Sequence, residues 1–299
     1  MILRIVTIAT ILANLPLGAN AQDPLADLLP DLNVPAFGAK IVEVSKVGKD
    51  FFKATNTELL HPKTGVIVSY VEANGPAADA QIQKLDIITH VHNRTTRTED
   101  EFSSAISELE IGKKYSVTVF RQIELRGKVT WKKDTVKVEP VSLRDVYLNA
   151  LRQEKDEVTD DASYKHHDTT KFVNNQSEFY CYFTSTKSAK PKLRLNIQYV
   201  ANEWLFIRRI IIKADDKTFT LDGLGLRDIE RDNGDGKVWE WHDRPVGIKE
   251  REMLNAVANA KRVILRCEGE QYQKDRELSD AEKRRVFTVL IAYRIMSAE

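Results

Sequence analysis

The chain has 299 residues, enough for about two domains, and an apolar fraction of 42% that lets each bury a core. Lys and Arg number 45 against 44 Asp and Glu, a net charge of +1, so there is no electrostatic case for nucleic acid or an anionic membrane surface as partner. The charges are mixed in sign, which reads as a well-solvated surface. Arg4 supplies a positive n-region, Ile5 to Leu17 a short apolar h-region, and Ala19-Asn20-Ala21 fits an A-x-A cleavage site. Residues 1–21 therefore read as a signal peptide, with Gln22 opening the mature chain. The apolar run is short for a membrane span and contains Pro16; an uncleaved anchor is the alternative. No cysteine follows the cleavage site, which disfavours a lipoprotein, and no later segment is apolar enough to cross a bilayer. The mature protein is expected to be exported, periplasmic or secreted, with no integral membrane segment. Residues 22–34 read as a loose acidic leader.

An alternating strand follows Pro35-Ala36-Phe37-Gly38-Ala39, running through Lys40, Ile41 and Val42. Residues 48–63 are polar, with Phe51-Phe52 and Leu59-Leu60 as anchors, and read as a loop or helical excursion. Gly65 to Val71 reads as a strand, Ala73-Asn74-Gly75-Pro76 as a turn into a short Ala-rich helix, and Asp86 to Val91 as a second apolar strand. Thr98 and Glu101 form a T-x-x-E capping box. It opens a helix from about Glu99 to Leu109, with Phe102, Ala105, Ile106 and Leu109 on one face. Strands from Tyr115 to Arg121 and Val129 to Val138 complete the module.

The order Gly65-Val66-Ile67-Val68, Gly75-Pro76-Ala77-Ala78-Asp79-Ala80-Gln81-Ile82, Leu85-Asp86-Ile87-Ile88 and Val91-His92-Asn93 resembles a PDZ domain of the bacterial Deg/Htr secreted proteases. The resemblance covers residues 35–140. Gln81, Leu85 and His92-Asn93 stand where that family commonly has Gly or Asn-Gly. The first two sites usually take Gly because φ is positive or the backbone crowded, so different local turns are expected here. The resemblance implies that Phe37, Gly38 and Ala39 form a loop whose backbone N–H groups receive a peptide carboxylate. Lys40, Ile41 and Val42 would then pair with the peptide as an added strand, and Glu99, Phe102 and Ile106 would come from the helix forming the other wall. The alternative is a first strand of the sheet with no ligand. A serine-protease domain precedes this module in the Deg/Htr proteins; here only the leader does, and no G-x-S-x-G context occurs. The resemblance therefore carries binding and not proteolysis.

Residues 141–176 are expected as a linker: an amphipathic helix from Leu143 to Glu157, then a polar stretch holding His166-His167-Asp168. Two adjacent histidines cannot share one face, so a solvated loop is expected rather than a metal site. Residues 177–299 read as a β-rich domain with two helices. Glu178 to Thr184 and Leu193 to Val200 alternate; Trp204 to Lys213 pairs with Lys217 to Leu221 across Asp215-Asp216. Asp232-Asn233-Gly234-Asp235-Gly236 suggests a calcium loop, but Arg231 and His242 fall at the first and twelfth ligand positions. A hairpin turn explains the same residues. Glu250 to Ala260 reads as a helix and Lys261 to Cys267 as a strand. Ser279 with Glu282 caps a last helix that buries Val286, Val289, Leu290 and Tyr293. This half loosely resembles β-sandwich-like domains of bacterial exported proteins, which implies no activity. Cys181 and Cys267 lie on apolar strand faces; export permits a disulfide, and two buried free thiols are the alternative.

The fold expected is α+β and mainly β: a small PDZ-like, partly open β-barrel with two helices, then a β-sandwich-like domain with two helices. The function expected is a non-enzymatic interaction module binding peptide C-termini or extended segments, with no cofactor and no metal. Two alternatives stand beside it. One is an enzyme using carboxylates such as Asp228, Glu230 and Glu240. The other is a structural envelope protein whose groove is occluded by the leader or by residues 48–63.

Overall fold

The computed structural model of the chain describes residues 32–47, 62–125, 128–173, 176–186, 189–225 and 227–298. The signal peptide, most of the leader and residues 48–61 lie outside these. The chain divides into two units, Met1–Ala150 and Leu151–Glu299.

The elements of the first unit are β1 (Pro35–Ala36), β2 (Ala39–Glu43), β3 (Val66–Val71), α1 (Pro76–Asp79), β4 (Ile87–Val91), β5 (Arg94–Thr95), α2 (Glu99–Ser107), β6 (Tyr115–Leu125), β7 (Lys128–Val138), β8 (Val141–Ser142) and α3 (Leu143–Asn149). The main sheet runs β2-β3-β4-β6-β7, antiparallel throughout; β5 pairs with β4, and β1 with β8. β2 and β7 each pair on one side only among the described residues, so no closed barrel forms.

Strand alternation divides the apolar residues between two faces. Val66, Val68, Ile88, Val117 and Val119 face α2, which brings Phe102, Ala105 and Ile106, with Leu109 just beyond it. Ile67, Ile87 and Trp131 meet Val44 on the other side. Each large side chain so buried stabilises the fold by about 1.5–3 kcal/mol. α2 starts where the capping pattern predicts: Thr98 Oγ1 accepts from Glu101 N at 3.1 Å. The Glu101 carboxylate reaches back to Arg97 N at 2.7 Å, one residue before the cap.

The two sites expected to need glycine keep left-handed backbone without it, with φ of 60° at Gln81 and 77° at Leu85, and His92 is left-handed as well at 54°. The turns are thus retained, contrary to the expectation of altered ones. Such residues cost roughly 1–2 kcal/mol each. Asp86, 1% exposed, holds the first two in place. Its carboxylate accepts from Gln83 N at 2.9 Å and from Arg121 Nε and Nη2 at 2.8 and 2.6 Å. The same guanidinium donates to Gln81 O at 2.6 Å.

The linker expected over residues 141–176 is largely folded structure. The helix predicted to reach Glu157 ends at Asn149, and the chain turns at once into β9 (Leu151–Lys155), which pairs with β10 (Ala162–His166). Arg152 explains the change. It donates to the carbonyls of His166, His167, Thr169 and Thr170 at 2.7–3.1 Å, winding that segment around one guanidinium. His166 is consequently buried rather than solvated, while His167 and Asp168 stay exposed.

The second unit continues with β11 (Glu178–Thr186), β12 (Ala189–Ala201), β13 (Arg209–Ala214), β14 (Lys217–Leu221), β15 (Glu230–Gly234), β16 (Lys237–Pro245), α4 (Ile248–Asn259), β17 (Val263–Glu268), β18 (Gln273–Glu277) and α5 (Asp280–Ala298). Two antiparallel sheets result, ordered β15-β16-β12-β11-β10-β9 and β14-β13-β17-β18. The Asp235-Gly236 pair turns β15 into β16 with φ of 51° and 74°, a hairpin. α5 packs on β10, β11, β12 and α4. Of the predicted stripe, Val286, Val289 and Leu290 are buried and Tyr293 is half-buried, while Phe287, Ile291 and Ala292 are buried as well.

Candidate functional site

The turn at Phe37-Gly38-Ala39 leads into β2, whose far side is unpaired among the described residues. Gly38 has a φ of 69°, and a Cβ there would lie 3.2 Å from Pro76 Cδ and 3.3 Å from Gly75 Cα. Both features favour glycine there. The carbonyls of the turn point inward: Phe37 O accepts from Ala77 N at 3.0 Å, and Gly38 O from Glu72 N at 2.8 Å. Trans peptide planarity then directs the N–H of Gly38 away from α1 and that of Ala39 away from β3. Two successive donors so presented suit an anion such as a carboxylate.

The ladder fixes which groups remain for a further strand. Glu72 N bonds Gly38 O at one end, and Val44 N donates to Gly65 O at 3.0 Å at the other. Between these, Lys40 and Val42 turn their amides to β3. Ala39, Ile41 and Glu43 turn theirs to the open edge. Of the expected Lys40, Ile41 and Val42, Ile41 turns its amide to the open edge, as Ala39 and Glu43 do, while Lys40 and Val42 turn theirs to β3. A bulge opposite Lys40/Ile41 leaves Ser69 unpaired, and its hydroxyl donates to Lys40 O at 3.0 Å.

Side chains follow the same alternation. Phe37, Ile41, Phe102 and Ile106 share one cluster with Ala39 beside it. Phe37 and Phe102 meet edge to face, with ring centroids 5.3 Å apart. Lys40 is exposed and Val42 half-buried, both on the other face of β2. Glu99 is half-buried, and its carboxylate pairs with Lys46 Nζ at 3.1 Å. Lys46 and Glu43 were not foreseen as part of this site. Their i,i+3 spacing was visible, but the partner at Glu99 lies 53 residues from Lys46.

The carboxylates considered for catalysis do not converge. Glu240 is fully buried and saturated: Leu205, Phe206 and Ile207 donate their amides to it at 2.7–2.9 Å, and Arg231 Nε donates at 3.0 Å. Asp228 accepts from Gly225 N at 2.9 Å, and Glu230 is exposed. Cys181 and Cys267 are both free and buried, so the disulfide does not form here. Burial pushes the Cys267 thiol up to about 12 and Cys181 up as well, which leaves neither poised as a nucleophile. No group of three or more metal-ligating side chains occurs among the described residues. Nor is any described helix long and apolar enough to cross a membrane.

Comparison with known families identifies one module. Residues 35–139 match the family model of the PDZ domain, and no catalytic domain family is matched. No curated protein matches the chain. A PDZ domain at residues 35–139 is thus found, and it coincides with the open sheet, the Gly38 turn and α2.

Proposed function

We propose that this PDZ domain binds peptide C-termini or extended segments, and that the chain acts as an exported, non-enzymatic interaction protein of a bacterium. The observation that carries the binding role is the Gly38 turn. Its carbonyls are tied inward, so its amides face outward at the head of an unpaired strand edge. A carboxylate held there places the rest of the peptide along Ala39 and Ile41 as an added strand. Export is supported by the charged, apolar and small-residue pattern of residues 1–21.

The test is a screen of the mature chain, Gln22–Glu299, against immobilised peptides carrying free or amidated C-termini. Binding that requires the free carboxylate supports the reading. Equal binding of both forms would leave strand addition without carboxylate recognition. No binding of either kind would sink it and favour the occluded groove.

A further inference from the structure

A cleft of about 310 Å³ lies between the two sheets of the second unit. That is at the small end of the range of roughly 300–1,000 Å³ usual for ligand sites. One wall comes from β17 and β18. Their register sets Leu265 opposite Arg276 and Cys267 opposite Lys274, so these four side chains share one face of their sheet. The other wall carries Gln198, Tyr199 and Ala201 from the end of β12. Leu265, Cys267 and Gln198 are buried, whereas Lys274 is exposed. The cleft therefore runs from a charged rim to an apolar interior. Burial keeps the Cys267 thiol neutral, so it adds apolar surface there.

Two polar groups of the cleft are left over once the protein's own bonds are made. Gln198, 1% exposed, donates from Nε2 to Gln176 O at 2.7 Å, but its Oε1 meets no donor among the described residues. Arg276 gives its two terminal nitrogens to Glu282 at 3.0 and 2.7 Å, and its buried Nε–H meets no acceptor among them. Native interiors rarely leave such groups unmet. The charges do not balance either. Glu282 offsets Arg276, Arg266 offsets Asp275, and Arg231 offsets Glu240, which stands opposite Tyr199. Lys274 has no ion pair among the described residues. We propose that this cleft binds a small organic carboxylate that carries one hydroxyl or N–H donor at the far end of a short apolar body. The carboxylate pairs with Lys274 and accepts from Arg276 Nε. The body lies on Leu265, Cys267 and Ala201, and the donor reaches Gln198 Oε1. This site belongs to the second unit and does not depend on the peptide-binding reading of the PDZ domain.

The probes are ω-hydroxyhexanoate, hexanoate, which lacks the donor, and hexanediol, which lacks the charge. Each is titrated into the mature chain, Gln22–Glu299, with the NMR signals of the Gln198 side-chain amide and the Leu265 methyl groups as reporters. The hydroxy acid should shift both reporters and bind at least ~fivefold tighter than either of the others, the ratio that one hydrogen bond supplies. Lys274 is exposed and unpaired, so Lys274→Ala leaves the fold in place. That variant should lose about threefold in affinity for the hydroxy acid and nothing for the diol, as the loss of one exposed ion pair requires. No shift at either reporter with any probe would overturn the proposal. Equal affinities for the hydroxy acid and hexanoate would overturn it too, because Gln198 would then receive no donor. An unchanged hydroxy-acid affinity in Lys274→Ala would overturn the assignment of the carboxylate end.

Discussion

Leu85 carries a side chain through a left-handed turn, with φ of 77° and 40% of its surface exposed. Glycine would relieve roughly 1–2 kcal/mol of strain and return about 0.5–1 kcal/mol in chain entropy. Leu85→Gly should therefore stabilise the domain by about 0.5–1 kcal/mol. Urea unfolding measures this, and a clear loss of stability would show that the turn is not strained as described. Gly38 is the reverse case. Gly38→Ala meets both a positive φ and the Pro76 ring at 3.2 Å. It should cost about 1–2 kcal/mol and weaken peptide binding at least ~10-fold by moving the two amides. Unchanged affinity in that variant would remove the turn from the site. The residue types at both positions were legible in the sequence, and so was a glycine-containing turn at Gly38 ahead of the first long strand. The survival of the Gln81 and Leu85 turns was not, because it depends on Arg121 reaching Asp86 from 35 residues away.

At the scale of elements, the clearest divergence from the sequence is the strand β9. The apolar spacing from Leu143 to Leu151 continues as if in one helix, yet pairing with β10 takes over after Ala150. Periodicity reports only local preference, and here four carbonyls gathered by Arg152 outweigh it. Arg152→Ala should cost the second unit about 2–3 kcal/mol, since hydrogen bonds to a charged group are among the stronger ones. Thermal unfolding, with hydrogen exchange read over residues 162–170, would show the loss there first; a local change without loss of stability would make Arg152 dispensable. The start of α5, by contrast, was legible as Ser279 and Glu282. Ser279 Oγ accepts from Glu282 N at 3.2 Å, and Glu282 Oε2 accepts from Ser279 N at 2.9 Å. Burial works to raise the Glu282 pKa, but Arg276 and the amides of Ser279 and Phe179 hold it below 4.5. A lowered folded-state pKa means stability present above the unfolded value and lost as pH falls through the folded one. Wild-type stability should therefore drop below about pH 4.5 partly through this group, and Glu282→Gln should flatten that part of the profile. Parallel pH profiles for the two proteins would contradict it.

Across the whole molecule, the two halves differed in how much the sequence disclosed. The PDZ module was legible because its turns and strands follow one another within residues 35–139, the span the family model matches. Which amides of β2 face the open edge was not legible, since the direction of each is set by the ladder with β3. The second unit offered strand alternation and hairpin turns but no recognisable site. Its most buried carboxylate, Glu240, serves the backbone of residues 205–207. The free, buried state of Cys181 and Cys267 also needed the structure, because they lie on strands of different sheets. The central claim is that a peptide adds to the open edge of β2 with its carboxylate at the Gly38 turn. The most direct measurement is residue-resolved hydrogen exchange of the chain with and without the tightest peptide of the C-terminal screen. Protection should rise at the amides of Ala39 and Ile41 and stay unchanged at Lys40 and Val42, which already face β3. A bound peptide that leaves Ala39 and Ile41 unprotected would place the binding site elsewhere and contradict the account.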